Sequence, residues 1–240
     1  MKTIGIIPAR YASTRFPGKP LADIKGKPMI QLVYEQALKA ELLNKLIVAT
    51  DDEQIYKAVH AFGGEVVMTA GHHQSGTERC YEALTLLSES YEAVINIQGD
   101  EPFIDPSQID QVSTLLGKPD VEIATLCKRI KPDEASNPNI VKVVTDLAGR
   151  AMYFSRSPIP FMRNENSSQL SKNEFSLKHI GIYGYRSAVL AKLVALSPTP
   201  LEQSEVLEQL RWLENGFCIH IDHTDKESIS IDTPEDIENL

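Results

Sequence analysis

Residues 3–20, TIGIIPARYASTRFPGKP, decide the fold class, because a short apolar run leads directly into a loop of positive charges. Residues 3–7 are apolar and rich in isoleucine, which predicts a buried β-strand. Arg10, Arg15 and Lys19 follow within ten residues, and a glycine and two prolines shape the turn between them. Since ligands gather beyond the carboxyl ends of strands in α/β sheets, the loop is predicted to bind a ligand.

The three cations of this loop suit a triphosphate. Arginine binds phosphate oxygens in bidentate fashion, and lysine acts as a compact point charge. A solvated basic loop is the alternative, and the position directly after a strand disfavours it. The sequence has neither GxxxxGK[ST] nor GxGxxG after the strand, which excludes a P-loop kinase and a dinucleotide-dependent dehydrogenase.

Composition narrows the class of protein further. The chain has 240 residues and a formal net charge of −9, which disfavours a nucleic-acid partner. Its three cysteines are odd in number and show no metal-binding spacing, so reduced thiols are expected. No apolar stretch is long enough for a signal peptide or a membrane span, which predicts a cytoplasmic protein without membrane insertion.

Strands and helices alternate through the first half of the sequence, which predicts βαβ units and a mainly parallel sheet with helices on both faces. The predicted strands are residues 45–49, 65–68, 93–97 and 123–128. The predicted helices are residues 29–40, 53–62, 77–87 and 107–116.

The second half is less regular, and we interpret residues 1–240 as one domain with a lobe drawn roughly from residues 130–220. A polar stretch at 157–176 predicts a loop or a partly mobile arm. The predicted strands are residues 141–145, 151–154, 180–185 and 228–231, and the predicted helices are residues 188–196 and 204–214.

The segment HQSGTER, residues 73–79, stands at the head of a predicted helix. Ser75 or Thr77 suits the N-cap of that helix, and this alone would explain the serine, threonine and glutamate. It does not explain Gln74 and Arg79, which could bond the edge of a base. Spacing leaves the two interpretations equally supported.

Two further segments place carboxylates after predicted strands. Asp100 and Glu101 follow the strand in INIQGDEPF, residues 95–103, and suit Mg²⁺, although Gly-Asp is also ordinary turn chemistry. Asp232 in IDTPEDI could cap a helix that begins at Pro234. Asp232 would gain a role in metal binding if it met Asp100 across one cleft.

These segments together resemble the 3-deoxy-manno-octulosonate (KDO) cytidylyltransferases. The resemblance extends from residue 7 to residue 236 and rests on motifs that occur in family order: IPARYASTRFPGKP, GKPMI, VATDD, QSGTER, QGDEPF, NPN-VKVV, YFSR, KHIGIYGYR, LEQLR and DTPED. It implies a Rossmann-like nucleotidyltransferase fold with a small dimerisation lobe, and a homodimer. The implied activity transfers CMP from CTP to KDO for lipopolysaccharide biosynthesis and releases pyrophosphate. Transfer to 8-amino-KDO and a non-catalytic nucleotide sensor are the alternatives.

The resemblance also implies roles for single residues. Lys19, Asp100 and Asp232 would be catalytic, the two aspartates as Mg²⁺ ligands. The implied nucleotide-binding residues are Pro8, Ala9, Arg10, Arg15, Lys19, Gln74, Ser75, Gly76 and Arg79. The implied sugar-binding residues are Gln98, Arg156, His179, Tyr183, Glu208 and Gln209.

Overall fold

A computed structural model describes residues 1–12, 16–131, 134–161, 163, 176–227 and 229–240, and these residues form one nine-stranded sheet and one two-stranded sheet. The strands are β1 Thr3–Ala9, β2 Asp23–Ile24, β3 Lys27–Pro28, β4 Lys45–Thr50, β5 Val66–Met68, β6 Ala93–Asn96, β7 Ile123–Arg129, β8 Lys142–Thr145, β9 Ala151–Ser155, β10 Leu177–Arg186 and β11 Ile219–His223. The helices are α1 Met29–Ala37, α2 Glu53–Ala61, α3 Gly76–Thr85, α4 Pro106–Leu116, α5 Ser187–Leu193, α6 Pro200–Glu205, α7 Glu208–Glu214 and α8 Pro234–Glu238, with a 3₁₀ helix at Lys19–Leu21.

The large sheet has the strand order β11-β7-β10-β6-β1-β4-β5. Strand β10 runs antiparallel to both of its neighbours on this path, and the other neighbouring pairs are parallel. The predicted mainly parallel sheet is therefore confirmed, with one reversed strand inside it. The hairpin of β8 and β9 extends from β10, because β8 pairs antiparallel with both β10 and β9.

Apolar side chains pack on both faces of this sheet, as the alternation of strands and helices predicts. Along β1, Ile4 and Ile6 face one core, whereas Ile7 faces the other. Helices α1, α2 and α4 cover the core that contains Ile7, and α3, α5 and α7 cover the opposite core. Because successive side chains of a strand point to opposite faces of the sheet, each strand contributes side chains to both cores.

The carboxyl ends of β1 and β6 lie next to each other, since these two strands pair in parallel. Gly99 lets the loop after β6 pack against the end of β1: a Cβ at Gly99 would lie only 2.9 Å from the carbonyl oxygen of Pro8. The residues that follow the two strands, Arg10 and Asp100, consequently share one edge of the sheet.

The structure corrects the predicted second half in four places. The helix predicted at 204–214 is two helices, because Val206 adopts a left-handed conformation with φ 54 and ψ 51. Residues 229–231 form no strand, although the amide of Ile231 donates to the Asp100 carbonyl at 2.9 Å. Strand β11 is absent from the prediction, and β10 begins three residues earlier than predicted.

The arm predicted at 157–176 lies mostly outside the described residues. The predicted lobe region carries exposed apolar side chains on and beside the β8–β9 hairpin, notably Leu147, Met152 and Phe161. Among the described residues, no helix combines the length and the apolar character that a membrane crossing requires.

Candidate active site

The ammonium group of Lys19 joins three chain segments at the carboxyl edge of the sheet. It donates to Asp100 Oδ2 at 2.8 Å and to the Ile231 carbonyl at 2.9 Å, and its Nζ lies 3.5 Å from Asp232 Oδ1. Gly18, with φ 72, turns the chain immediately before the 3₁₀ helix that carries Lys19. The two aspartates, far apart in the sequence, therefore meet on one ammonium group.

The carboxylate of Asp232 does not cap helix α8, contrary to one of the predicted alternatives. Thr233 is the N-cap and forms a capping box with Asp236. The reason is the position of the helix start: Pro234 is the first helical residue, so the cap falls one residue after Asp232. The side chain of Asp232 points instead towards Lys19.

A cavity of about 250 Å³ surrounds this junction and contains much of the predicted phosphate loop. Arg15 lies outside the described residues. The residues lining the cavity are Pro8, Ala9, Arg10, Lys19, Pro20, Gln98, Gly99, Asp100 and Asp232.

The donor set of this cavity fits Mg²⁺ that shares its coordination with a phosphate. Within the described parts of the chain, no group of three or more His, Cys, Asp or Glu side chains could hold a metal ion. Mg²⁺ usually binds one or two carboxylates and takes its remaining ligands from substrate phosphates and water. Asp100 and Asp232 supply that number of carboxylates, and binding of the ion by them stays a prediction.

The predicted base-binding segment lies against the end of β1. Ser75 is the N-cap of α3 and accepts from the Glu78 amide at 3.2 Å, so the capping interpretation holds for Ser75. The main-chain N–H of Gln74 donates to Glu78 Oε2 at 2.8 Å. A Cβ at Gly76 would lie 3.1 Å from Pro8 Cγ, which shows how closely the head of α3 approaches the phosphate loop.

Arg79 occupies a different place from the one predicted at a base edge. It is buried, with 3% of its surface exposed. Its guanidinium donates to Thr69 Oγ1 at 2.6 Å and to Asp51 Oδ2 at 3.2 Å. A charge-assisted hydrogen bond inside the protein explains the burial. Arg79 therefore joins the chain segments that follow β4 and β5 to the base of α3.

A second cavity, of about 380 Å³, adjoins the first, and Gln98 and Asp100 line both. Gln98 Nε2 donates to the Gly181 carbonyl at 3.0 Å. The second cavity is lined by Gln98, Asp100, Glu101, Asn139, Ile140, Val141, Lys178, His179, Ile180, Gly181 and Ser230. Of the six predicted sugar-binding residues, Gln98 and His179 are therefore found here.

His179 is neutral at the pH of the cell. Its Nε2 lies 3.0 Å from Thr125 Oγ1, and burial lowers the pKa of His179 to about 3. The Tyr183 ring packs behind it at 5.1 Å between ring centroids, and Tyr183 does not line the second cavity. Tyr183 thus supports the position of His179 in the structure.

Arg156 lines a third cavity, of about 800 Å³, which shares Asp232 with the first and Asn139 with the second. Its guanidinium donates to the carbonyls of Glu205 at 2.8 Å and Pro138 at 3.0 Å. Arg156, one of the predicted sugar-binding residues, therefore lies in the same cleft as Asp232, where it also holds two chain segments together.

Glu208 and Gln209 begin helix α7 and line neither the first nor the second cavity. Glu208 Oε2 accepts from Thr77 Oγ1 at 2.8 Å, and burial raises the pKa of the Glu208 carboxyl. Gln209 is buried. In this structure Glu208 connects α7 to the head of α3, and its contact with a sugar stays a prediction.

Asn139 and Lys178 are two of the polar cavity-lining residues that the predicted set lacks. Asn139 lies in the NPN motif, and Lys178 directly precedes His179, so the motifs held a signal for both. Lys178 is buried between two glutamates, Glu134 at 3.0 Å and Glu227. A lysine with two tertiary partners looks like a surface residue in the sequence, which explains the omission.

Comparisons with known proteins show the family of this chain. A family model described as "Cytidylyltransferase" matches residues 4–229. The chain is 54% identical to the 3-deoxy-manno-octulosonate cytidylyltransferase of Parabacteroides distasonis, with 99% of this chain and 96% of the relative covered. It is 53% identical to the protein of that name from Thermodesulfovibrio yellowstonii, with 99% and 96% covered.

Solved structures give the same picture. A CMP:2-keto-3-deoxy-manno-octonic acid synthetase complexed with CTP superposes with a TM-score of 0.92 at 43% identity, with 100% of this chain and 96% of that chain covered. The 4-diphosphocytidyl-2C-methyl-D-erythritol synthase of Anaerococcus prevotii reaches a TM-score of 0.62 at 18% identity, with 99% and 94% covered. The second likeness concerns the fold alone.

Proposed function

This chain belongs to the cytidylyltransferase family, among the 3-deoxy-manno-octulosonate cytidylyltransferases, and we propose on that premise that it transfers CMP from CTP to KDO. It is a nucleotidyltransferase, and its product serves lipopolysaccharide biosynthesis. The observation that carries the proposal is the meeting of Lys19, Asp100 and Asp232 beside two adjoining cavities. The names of the relatives identify the acceptor.

In the proposed reaction the anomeric hydroxyl of KDO attacks the α-phosphorus of CTP. A new oxygen–phosphorus bond forms, the bond to the β-phosphate oxygen breaks, and pyrophosphate leaves. Such transfers need little covalent chemistry from the protein, so positioning and charge stabilisation dominate. Arg10, Arg15 and Lys19 hold the phosphates, and Lys19 stabilises the negative charge on the phosphate as the bond breaks.

Cytidylyltransferases commonly use a divalent metal ion, and for this chain we propose Mg²⁺ held by Asp100 and Asp232. When bound, the ion activates the attacking hydroxyl and neutralises phosphate charge. The two carboxylates lie at 2.8 and 3.5 Å from one ammonium group, so they already share a cationic partner at this place. That arrangement supports a site for positive charge between them.

The nucleotide and the sugar take the two adjoining cavities in this proposal. The cytidine is faced by Pro8, Ala9, Gln74, Ser75 and Gly76. Arg79 holds residues 74–76 in place through its bonds to Thr69 and Asp51. The sugar lies near Gln98 and His179 in the second cavity, and its carboxylate extends into the third cavity to the Arg156 guanidinium. Since His179 is neutral, it offers the sugar hydroxyls hydrogen bonds without adding a charge.

The two alternatives receive less support. The relatives are named for KDO, which favours KDO over 8-amino-KDO as the acceptor. A nucleotide sensor without activity would not need Lys19, Asp100 and Asp232 in one place, yet the chain has kept all three together.

Pyrophosphate release, measured over a matrix of nucleotides and sugars, tests the function. With Mg²⁺ present, we expect release only when CTP and KDO are both supplied. UTP should substitute weakly, and ATP and GTP should fail because a purine exceeds a site shaped for a pyrimidine. Equal turnover with ATP would contradict the proposal, as would release with CTP and no sugar.

We further propose that the protein is a cytoplasmic homodimer. Exposed Leu147 and Met152 on the lobe suit burial against a second copy. The three cysteines are free, which suits a reducing compartment. Light scattering after gel filtration should give twice the chain mass of 26.7 kDa, and a monomeric mass would contradict the dimer. Cell fractionation tests the location.

A further inference from the structure

Lys142 is a lysine with no exposed surface, on strand β8 beneath the sugar side of the cleft. In the sheet it stands opposite Ser155 of β9 and Lys178 of β10. Its Nζ donates to three main-chain carbonyls, those of Asn137 at 2.9 Å, Ile140 at 2.7 Å and Arg156. The substrates of the proposed reaction cannot touch a side chain that is covered in this way.

The three contacts use the full donor capacity of the ammonium group. A lysine ammonium has three N–H donors and no acceptor, and here three carbonyl oxygens receive them. Lysine is almost never fully buried without partners, because an unpaired buried charge is strongly unfavourable. Burial lowers the pKa of Lys142, as expected for an ammonium group bonded to uncharged oxygens. These contacts fix the backbone of residues 137–140.

The fixed segment forms a wall of the cleft. Asn139 lines both the cavity that contains His179 and the cavity that contains Arg156 and Asp232. Ile140 lines the first of these two. Since Lys142 bonds the carbonyls on either side of Pro138 and Asn139, it sets the position of the Asn139 side chain in both cavities.

The same ammonium group also holds the main chain at Arg156 in place. The Arg156 carbonyl accepts from Lys142, while the Arg156 guanidinium donates to the Pro138 carbonyl at 3.0 Å. Two cations thus hold residues 137–140 from two sides. A shift of Lys142 would move the Asn139 amide and the Arg156 guanidinium together.

We propose that Lys142 is a positioning residue for the acceptor sugar, acting through residues 137–140 and the backbone of Arg156. This inference rests on the proposed function and adds a residue to it. An Asn amide provides both a donor and an acceptor for sugar hydroxyls, and a guanidinium provides a fork for a carboxylate. The nucleotide side of the cleft has no described contact with Lys142, so the effect is specific to the sugar.

Lys142→Met tests the inference, since methionine keeps the length of the side chain and removes its three donors. Misplacement of positioning groups by a small distance is costly, and we expect the KM for KDO to rise by about tenfold or more. The KM for CTP should stay within about twofold of the wild-type value, because the phosphate loop does not touch Lys142. An unchanged KM for KDO, or equal rises for both substrates, would overturn the inference.

Lys45→Met is the matched control. Lys45 also lies on a strand, but it pairs with Glu65 at 2.7 Å, away from the residues that line the three cavities. Both KM values of this variant should equal those of the wild type. If the wild-type protein releases no pyrophosphate from CTP and KDO, the proposed function fails. If the wild type is active and Lys142→Met keeps its KM for KDO, the inference about Lys142 fails by itself.

Amide hydrogen exchange on the wild-type protein covers the case in which Lys142→Met does not fold. KDO added at saturating concentration should slow exchange of the amides within residues 137–142, and CTP alone should leave them unchanged. Unchanged exchange in the presence of KDO would overturn the inference without any variant.

Discussion

Two lysine ammonium groups have opposite surroundings on the two sides of the cleft, the nucleotide side around Asp100 and Asp232 and the sugar side around Asn139 and His179. On the nucleotide side, Lys19 bonds the carboxylate of Asp100 and lies near that of Asp232, with 16% of its side chain exposed. On the sugar side, Lys142 is fully buried and bonds only to main-chain carbonyls in its described contacts. A carboxylate can exchange its ammonium partner for a metal ion, whereas a carbonyl that holds a loop in place has no such alternative.

The difference separates groups that react from groups that hold the site in shape. Charges in an open, partly solvated cavity are rearranged at modest cost when a phosphate or an ion arrives. Buried charges with fixed partners are not rearranged, because every lost bond leaves an unsatisfied polar group. In the proposed reaction, the carboxylates beside Lys19 can therefore change their charge partners, whereas Lys142 keeps residues 137–140 in a fixed shape.

Asp232→Asn should have the largest effect of the substitutions that sharpen this comparison. It removes one charge from the proposed ion site, so pyrophosphate release should fall by about two to three orders of magnitude. The free energy of unfolding should change by less than about 1 kcal/mol, since the pair with Lys19 is partly exposed. Turnover titrated with Mg²⁺ and a thermal melt measure the two quantities.

Asp52→Asn is the control for that experiment. Asp52 is a true N-cap, which accepts from the amides of Gln54 at 2.8 Å and Ile55 at 3.1 Å. Asparagine caps helices about as well as aspartate, so this variant should keep both stability and activity. Near-wild-type activity of Asp232→Asn would show that the reaction does not need the Asp232 charge. The contrast between the surroundings of Lys19 and Lys142 would then have no consequence for catalysis.

Arg156→Ala should raise the KM for KDO by about 10- to 100-fold, as expected for the loss of a charge-assisted hydrogen bond to the sugar carboxylate. The KM for CTP should change little. Steady-state kinetics with each substrate varied in turn gives both values. Arg150→Ala is the control, because Arg150 lies on the same lobe and the described ion pair of its side chain is with nearby Asp146, at 2.7 Å. A rise confined to CTP would refute the assignment of Arg156 to the sugar.

The partly buried His179 should make the stability of the sugar side sensitive to acid. Its pKa is about 3 in the folded protein and 6.5 in the unfolded chain, so between these values the unfolded chain binds more protons. The free energy of unfolding therefore falls as the pH is lowered below 6.5. From pH 6.5 to about 4.5 this one group should contribute a loss of roughly 2 kcal/mol.

Denaturant melts of wild type and His179→Gln over this pH range measure that contribution. The variant lacks the titrating imidazole, so its stability should fall less steeply with acid than that of the wild type. Parallel curves for the two proteins would contradict the lowered pKa of His179 in the folded protein.

Val206→Gly should have the smallest effect and should be stabilising. Val206 has φ 54 and is 75% exposed, and a left-handed conformation is unfavourable for a β-branched residue. Glycine adopts it without strain, so the melting temperature should rise in proportion to a gain of about 0.5–1 kcal/mol. A fall in melting temperature would mean that the valine side chain contributes packing that its exposure does not show.

The sequence predicted the nucleotide side of the fold more accurately than the sugar side, for physical reasons. Residues 3–7 are apolar and buried, so composition alone identifies β1. The start of β10 was missed because Lys178 and His179 are polar, and their burial depends on partners such as Glu134 and Thr125. Such partners come from distant parts of the chain, which no local pattern shows.

The break at Val206 illustrates the same limit. Residues 204–214 have the spacing of one helix and contain neither glycine nor proline. The chain nevertheless turns there, and the Arg156 guanidinium bonds the carbonyls of Glu205 and Val206, at 2.8 and 3.3 Å. The sequence cannot show an interaction between a strand end and a helix junction so far apart.

For the site, the sequence could place Asp100 and Asp232 at strand ends or helix starts but could not show that they share a partner. The alternative role of Asp232 as a cap depended on a helix boundary, and an error of one residue decides between a cap and a cleft residue. Only the folded chain resolves that difference.

The reversed strand inside the sheet, β10, has a consequence for how the two sides of the cleft can vary. Strand β10 lies between β6 and β7 and carries Lys178, His179 and Gly181 into the sugar cavity, while the phosphate loop belongs to β1. Residues 177–183 can therefore change this part of the cavity lining without a change in the phosphate loop, while Gln98, Asn139 and Arg156 stay in place.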